Sequence, residues 1–159
     1  MMMAEGYARA SEKFGAAIVL DGPGIANTIG GVANAYADRY PVMLISGQIP
    51  KYYEMMGALQ DSTQSGLDLA AVLKPITHTS YHIRHVENLP RYFKATVKSM
   101  YGHHKGPSHF SVAKDVLLEE VNSTYRPIDP GIVGNRIFDL HAARSFSENV
   151  IKKIVVWPF

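Results

Sequence analysis

Asp21-Gly22-Pro23-Gly24-Ile25-Ala26-Asn27 is the segment of this chain whose residue types and spacing suit ligand chemistry best. An apolar run, Ala16 to Leu20, precedes it and reads as a strand buried on both faces. After it, Ile25, Ile29, Val32 and Tyr36 recur at the spacing of one helix face. Strand, turn and helix in succession put the turn at the carboxyl end of the strand, where parallel α/β sheets bind ligands. The segment is no dinucleotide fingerprint, because Asn27 stands where the third glycine would fall. Nor is there a Gly-Lys-Ser or Gly-Lys-Thr to hold a phosphate, so a flavodoxin-like nucleotide site has no motif behind it. Taken singly, the parts have plain structural uses: Gly-Pro-Gly as a tight turn, Asn27 as a helix N-cap, Gln60 as a solvated loop amide.

Other chemistries are largely excluded. Without cysteine there is no disulfide, thiolate metal site or cysteine nucleophile, which fits a cytoplasmic protein. His78, His82 and His85 surround one expected strand, and His103, His104 and His109 flank a loop. None forms a His-x-x-x-His pair on a helix with a helpful acid, so no metal ligands are expected and the histidines are placed at the surface. Sixteen Lys and Arg against fourteen Asp and Glu leave a formal charge of +2, too balanced for nucleic acid or an anionic membrane to be the main partner. Arg91, Lys94 and Lys98 form a basic stripe read as a solvated helix face. No apolar run has the length of a membrane span, and Met1 to Glu5 lacks the basic start of a signal peptide.

The elements that must position the turn follow an α/β order. The 159 residues are 47% hydrophobic, enough for one folded core and unlike a disordered chain. A helix over Met1 to about Lys13 comes first. It has no capping residue ahead of it, as though the chain opens inside a helix. The helix after the turn, about Ile25 to Arg39, stops before Pro41. Val42 to Ser46 reads as a second buried strand, followed by a long loop from Gly47 through Asp61. A short helix, Gly66 to Leu73, and a strand, Thr79 to Ile83, come next. Pro90 suits the first turn of a helix whose Leu89, Phe93, Val97 and Met100 face the core. Ser108 to Val112 is the following strand. Strands separated by helices predict βα units in a largely parallel sheet sandwiched by helices. Arg126 to Gly131 is a turn-rich linker, Ile132 to about Arg144 a further helix, and Ile154 to Trp157 a strand.

At this point an ordered set of short motifs comes together. Glu5-Gly6-Tyr7-Ala8-Arg9-Ala10, Asp21 to Asn27 and Ala33-Asn34-Ala35-Tyr36-Ala37-Asp38 are followed by Pro41-Val42, Gly47-Gln48, Leu59-Gln60-Asp61, Gly106-Pro107 and Lys114-Asp115-Val116. Together they resemble the N-terminal, pyrimidine-binding domain of thiamine diphosphate enzymes of the acetolactate synthase type, over about Met3 to Val116. The resemblance implies a domain at 1–121, a linker at 122–131 and the start of a middle domain at 132–159. It also implies a 2-oxo acid decarboxylase or carboligase (a transferase or lyase) using thiamine diphosphate. Mg²⁺ would be held by a domain this chain lacks, with a flavin in some relatives. The active site would be shared across a homodimer or tetramer, at the interface of pyrimidine- and diphosphate-binding domains.

By the same resemblance, Gly22, Pro23, Gly24 and Asn27 are cofactor-binding, and Gln60 reaches the active site. Gly22 and Gly24 would let the backbone pass close to the cofactor ring. Leu59 stands where phenylalanine is common, and Met55 and Gly57 stand where Gly and Asp are common, which leaves the identity of the 2-oxo acid open. The family's catalytic glutamate falls ahead of the position held by Met3, and Glu5 matches an ordinary polar position instead. The chain is therefore expected to be a fragment, cut at its N-terminus and inactive alone. In the family Tyr52-Tyr53 and Met55-Met56 would be buried in a dimer. The alternative is a non-catalytic α/β module that binds a small anion or regulates.

Overall fold

The computed structural model describes residues 1–119. The expected linker, the segment at 132–159 and the last two residues of the expected first domain lie outside the described residues. Four strands, β1 (Gly15–Val19), β2 (Val42–Gln48), β3 (Ser80–Ile83) and β4 (Ser108–Ala113), form one all-parallel sheet in the order β1-β2-β4-β3. Helices α1 (Met2–Ser11), α2 (Pro23–Ala26), α3 (Ile29–Ala37), α4 (Leu69–Leu73), α5 (Leu89–Met100) and α6 (Lys114–Leu117) lie between and beside the strands. This is the expected α/β sandwich.

Alternation along β2 explains the layers. Met43 and Ile45 pack with Phe110 and Val112 of β4 against Val97 and Met100 of α5. Leu44 points to the opposite face and packs with Ile25, Val32, Leu69 and Leu73 from α2, α3 and α4. Val42, Met43 and Leu44 are fully buried, each such side chain contributing roughly 1.5–3 kcal/mol relative to exposure. Pro90 lies in the first turn of α5, and Leu89 and Phe93 join the buried Val97 and Met100 at the core. Asp68 caps α4 by accepting from the Ala71 N–H.

Small residues set how closely α1 lies. Ala4 and Ala8 of α1 meet Ala35 and Val42. Where α1 crosses the start of β1 the backbones nearly touch: a Cβ on Gly15 would fall 1.9 Å from the Ala4 carbonyl oxygen. Only glycine fits there.

Two sequence expectations need correction. The apolar run of β1 predicts burial on both faces, but the strand pairs only with β2 among the described residues, and Ile18 is 58% exposed. An apolar run records what a strand can bury, while its neighbours decide what it does bury. The helix expected from Ile25 to Arg39 is interrupted. α2 ends at Ala26, capped by Asn27, and α3 begins at Ile29, because the Thr28 hydroxyl and N–H both return to the Ile25 carbonyl at 2.6 and 2.9 Å.

Candidate functional site at the ends of β1 and β2

β1 ends at Val19, and the chain turns at Asp21-Gly22 into α2. Gly22 has φ 58°, a left-handed conformation that favours glycine, and a Cβ there would lie 2.9 Å from the Cβ of Gln60. Gln60 also has positive φ, 64°. The two residues singled out from separate segments of sequence are thus packed against each other. Pro23 opens α2, where its missing N–H costs nothing. Asn27 closes α2 as its C-cap, its N–H bonded to the Pro23 carbonyl at 3.0 Å. It is therefore not the helix N-cap that its residue type suggested. Gly24 sits close above the strand end, its missing Cβ 3.4 Å from Leu20 and 3.5 Å from Val19.

The second strand end locks this arrangement. Gln48, the last residue of β2, is buried and its Oε1 accepts from the N–H groups of Ile49 (2.9 Å) and Ser62 (3.2 Å). The Ser62 hydroxyl accepts from the Gly22 N–H at 2.7 Å and donates to the Gln60 carbonyl at 3.2 Å. Ser62 therefore ties the β1 turn to the Gln60 loop. Sequence reading missed it; the only trace is the Asp-Ser-Thr turn in which Asp61 accepts from the N–H and hydroxyl of Thr63. Around this locked backbone, the side chains of Pro23, Asn27 and Gln60 are exposed, and the amides of Asn27 and Gln60 have no hydrogen-bond partner among the described residues.

Two carboxylates flank the turn. Burial, and then the neighbouring charge of Asp61, push the Asp21 carboxyl up from its ordinary value, with Lys114 opposing. Burial also acts to raise Asp61, but hydrogen bonds from Ser65 and Thr63 outweigh it and hold Asp61 low. Asp61 thus carries the charge, and Asp21 is the one biased toward protonation.

Other motif residues serve the fold. Glu5 is buried, and its Oε1 accepts from Arg9 Nη2 (2.7 Å) while Asn34 Nδ2 lies 2.8 and 2.9 Å from its two oxygens. Burial raises its pKa, but these bonds outweigh burial and leave it lowered. Arg9 also pairs with Asp38 and lies 4.5 Å over the Tyr40 ring. α1 is clasped to α3 in this way, and Glu5 has no oxygen left over.

Histidine placement departs from expectation. His109 is fully buried in β4, not at the surface. Ser80 Oγ spends its one proton on the Ala70 carbonyl (2.8 Å), so it accepts from His109 Nδ1–H (2.8 Å). His109 Nε2 then accepts from Ser46 Oγ at 2.8 Å. Burial pushes this imidazole down to about 3, with His82 nearby adding to the effect. Among the described residues no group of three or more His, Asp or Glu is placed to hold a metal, and no helix is long and apolar enough to cross a membrane. Tyr52, Tyr53, Met55, Met56 and Leu59 are exposed, and Arg91, Lys94 and Lys98 line the solvent face of α5.

Residues 1–71 match the family described as thiamine pyrophosphate enzyme, N-terminal TPP binding domain. The chain is 34% identical to a probable acetolactate synthase large subunit of Methanocaldococcus jannaschii over 79% of its length, and 33% identical to the acetolactate synthase of Arthrospira platensis over 82%. It is 30% identical over 72% to the acetolactate synthase isozyme 3 large subunit of Escherichia coli K12. These stretches cover 20%, 21% and 19% of the respective relatives, so the chain spans about a fifth of the length of the curated relatives it matches. The matched motifs build an all-parallel sheet whose β1 and β2 ends meet at Gly22 and Gln60, and the chain belongs to the family of thiamine pyrophosphate enzyme N-terminal TPP binding domains, acetolactate synthase-like in its relatives.

Proposed function

We propose that the rim formed by Gly22, Pro23, Gly24, Asn27 and Gln60 is the aminopyrimidine side of a thiamine diphosphate site in an acetolactate synthase-like 2-oxo acid decarboxylase or carboligase, a cytoplasmic transferase or lyase. One observation carries the reading. Ser62 and Gln48 lock the Gly22 turn against the Gln60 loop, yet the amides of Asn27 and Gln60 are left without protein partners. Side chains held on a fixed backbone with unspent hydrogen-bonding capacity suit a flat, polar heterocycle.

The residues present fit this end of the cofactor. Gly22 and Gly24 keep the turn low over the strand end, Pro23 offers an apolar face, and the two amides can donate and accept. When bound, thiamine diphosphate supplies a carbon acid that adds to a 2-oxo acid and holds the electrons released as carbon dioxide leaves. This chain's residues bind and orient the ring. Glu5 moves no proton there, since Asn34 and Arg9 occupy its oxygens. In this reading the diphosphate and Mg²⁺ belong to another domain, a flavin belongs to some relatives only, and the site is completed across a dimer or tetramer. The domain would close near residue 121, followed by a linker at 122–131 and a middle domain from 132. The exposed Tyr52, Tyr53, Met55 and Met56 would then lie in the subunit interface.

The alternative, a site for a small anion at this turn, is disfavoured by the flanking carboxylates Asp21 and Asp61. The test is a chimera in which residues 1–119 replace the matching segment of the Methanocaldococcus jannaschii relative. Carbon dioxide release from pyruvate that depends on added thiamine diphosphate is the expected result. A folded chimera that binds no cofactor would overturn the proposal.

A further inference from the structure

A cavity of about 710 Å³ opens on the α4 side of the sheet, walled by the loop 54–65, by α4 and by β3. Its polar lining is mostly spent. Ser65 and Thr63 hydroxyls are engaged with each other and Asp61, Asp68 caps α4, and Ser80 bonds to Ala70 and His109. Two buried atoms are not spent. Glu54 gives one oxygen to Arg84, but its Oε1 has no hydrogen-bond partner, and neither has Nε2 of His82. These two atoms face each other at 3.9 Å, too far to bond directly. His82 Nδ1 is held at 2.7 Å by Ser111, so the ring is fixed with Nε2 turned toward Glu54.

An unsatisfied buried carboxylate oxygen costs on the order of 1–3 kcal/mol or more, which makes an orphaned pair facing one gap an unusual arrangement. With Ser111 donating to His82 Nδ1, Nε2 carries the proton, and a hydroxyl seated beside the pair resolves it: it donates to Glu54 Oε1 and accepts from His82 Nε2–H. The same cavity is lined by Lys74, whose ammonium has no ion-pair partner among the described residues. Met55, Ala70 and Ala71 supply apolar wall. A site of this volume with few unspent polar groups is what a small ligand requires.

We propose that this cavity binds a small hydroxylated anion, its hydroxyl bonded to both Glu54 and His82 from beside the pair and its carboxylate or phosphate at Lys74. The cavity shares the loop 54–65 and Ser62 with the Gly22–Gln60 rim, but the three residues proposed to hold the ligand, Glu54, His82 and Lys74, are not rim residues.

The test is a titration of the ¹⁵N-labelled full chain, following the His82 imidazole nitrogens, with glycerate, glycerol 3-phosphate, propionate and glycerol. At least one hydroxylated anion is expected to shift His82 Nε2 and saturate at a concentration about tenfold below propionate and glycerol. Whichever of the two anions binds better identifies the headgroup. Glu54→Gln should erase the advantage over propionate. Lys74→Ala, at an exposed position, should weaken the anions several-fold and leave glycerol unchanged. Equal saturation by all four compounds, or no His82 shift at tens of millimolar, would overturn the proposal and leave only a water bridging the pair.

Discussion

Two clusters built from the same set of motifs have opposite hydrogen-bond economies. At the α1–α3 contact, Glu5, Arg9, Asn34 and Asp38 bond to one another, with Tyr40 under the guanidinium. At the β1 and β2 ends, Gln48 and Ser62 bond to backbone, while the Asn27 and Gln60 amides face solvent unpaired. The first cluster is a clasp whose polar atoms are used up by folding. The second is a scaffold that holds unused polar atoms in place. Motif residues that look alike in a sequence are sorted by whether the fold consumes their bonding capacity.

The largest effect separates both clusters from the sheet beneath them. His109 is buried and neutral between serines of β2 and β3, with its pKa pushed down to about 3. An unfolded histidine titrates near 6.5, so the unfolded chain takes up the proton first. The stabilisation is complete above pH ~6.5 and is lost progressively as pH falls toward about 3, by up to about 5 kcal/mol. Urea unfolding across that range should show clasp and rim melting together, and His109→Asn should flatten the pH dependence.

Glu5→Ala comes next. It leaves Asn34 and Arg9 without their shared acceptor and should cost roughly 2–4 kcal/mol in urea unfolding. Thiamine diphosphate affinity of the folded chimera should be unchanged, which keeps the clasp structural. Gly22→Ala should do both kinds of harm. It places a Cβ at positive φ and against Gln60, costing roughly 1–3 kcal/mol in thermal unfolding and weakening cofactor binding in calorimetry. Gln60→Ala should be the mildest for stability, within about 0.5 kcal/mol. It should still weaken cofactor binding several-fold, as expected from losing one hydrogen bond of ~1 kcal/mol.

The legible parts of the fold were those fixed by local pattern. The runs Val42 to Ser46 and Ser108 to Val112 became the two central strands, and Pro90 with Val97 and Met100 marked α5. Less legible were features set by partners distant in sequence. The exposure of Ile18 depends on what lies beside β1, and the burial of His109 depends on serines from two other strands. The break after Asn27 comes from one threonine hydroxyl bonding back to Ile25, which periodicity does not record. At the site, the segments of Gly22 and Gln60 were recognisable by motif. Their contact was not, because Ser62 makes it across a loop.

Amide chemical-shift mapping of the chimera, ¹⁵N-labelled over residues 1–119, with thiamine diphosphate and Mg²⁺ tests the division between clasp and rim most directly. Shifts concentrated at Gly22 to Asn27, Gln48 and Gln60 to Ser62, with Glu5, Asn34 and Asp38 unmoved, are expected. Shifts centred on the clasp, or spread without preference for the strand ends, would contradict it.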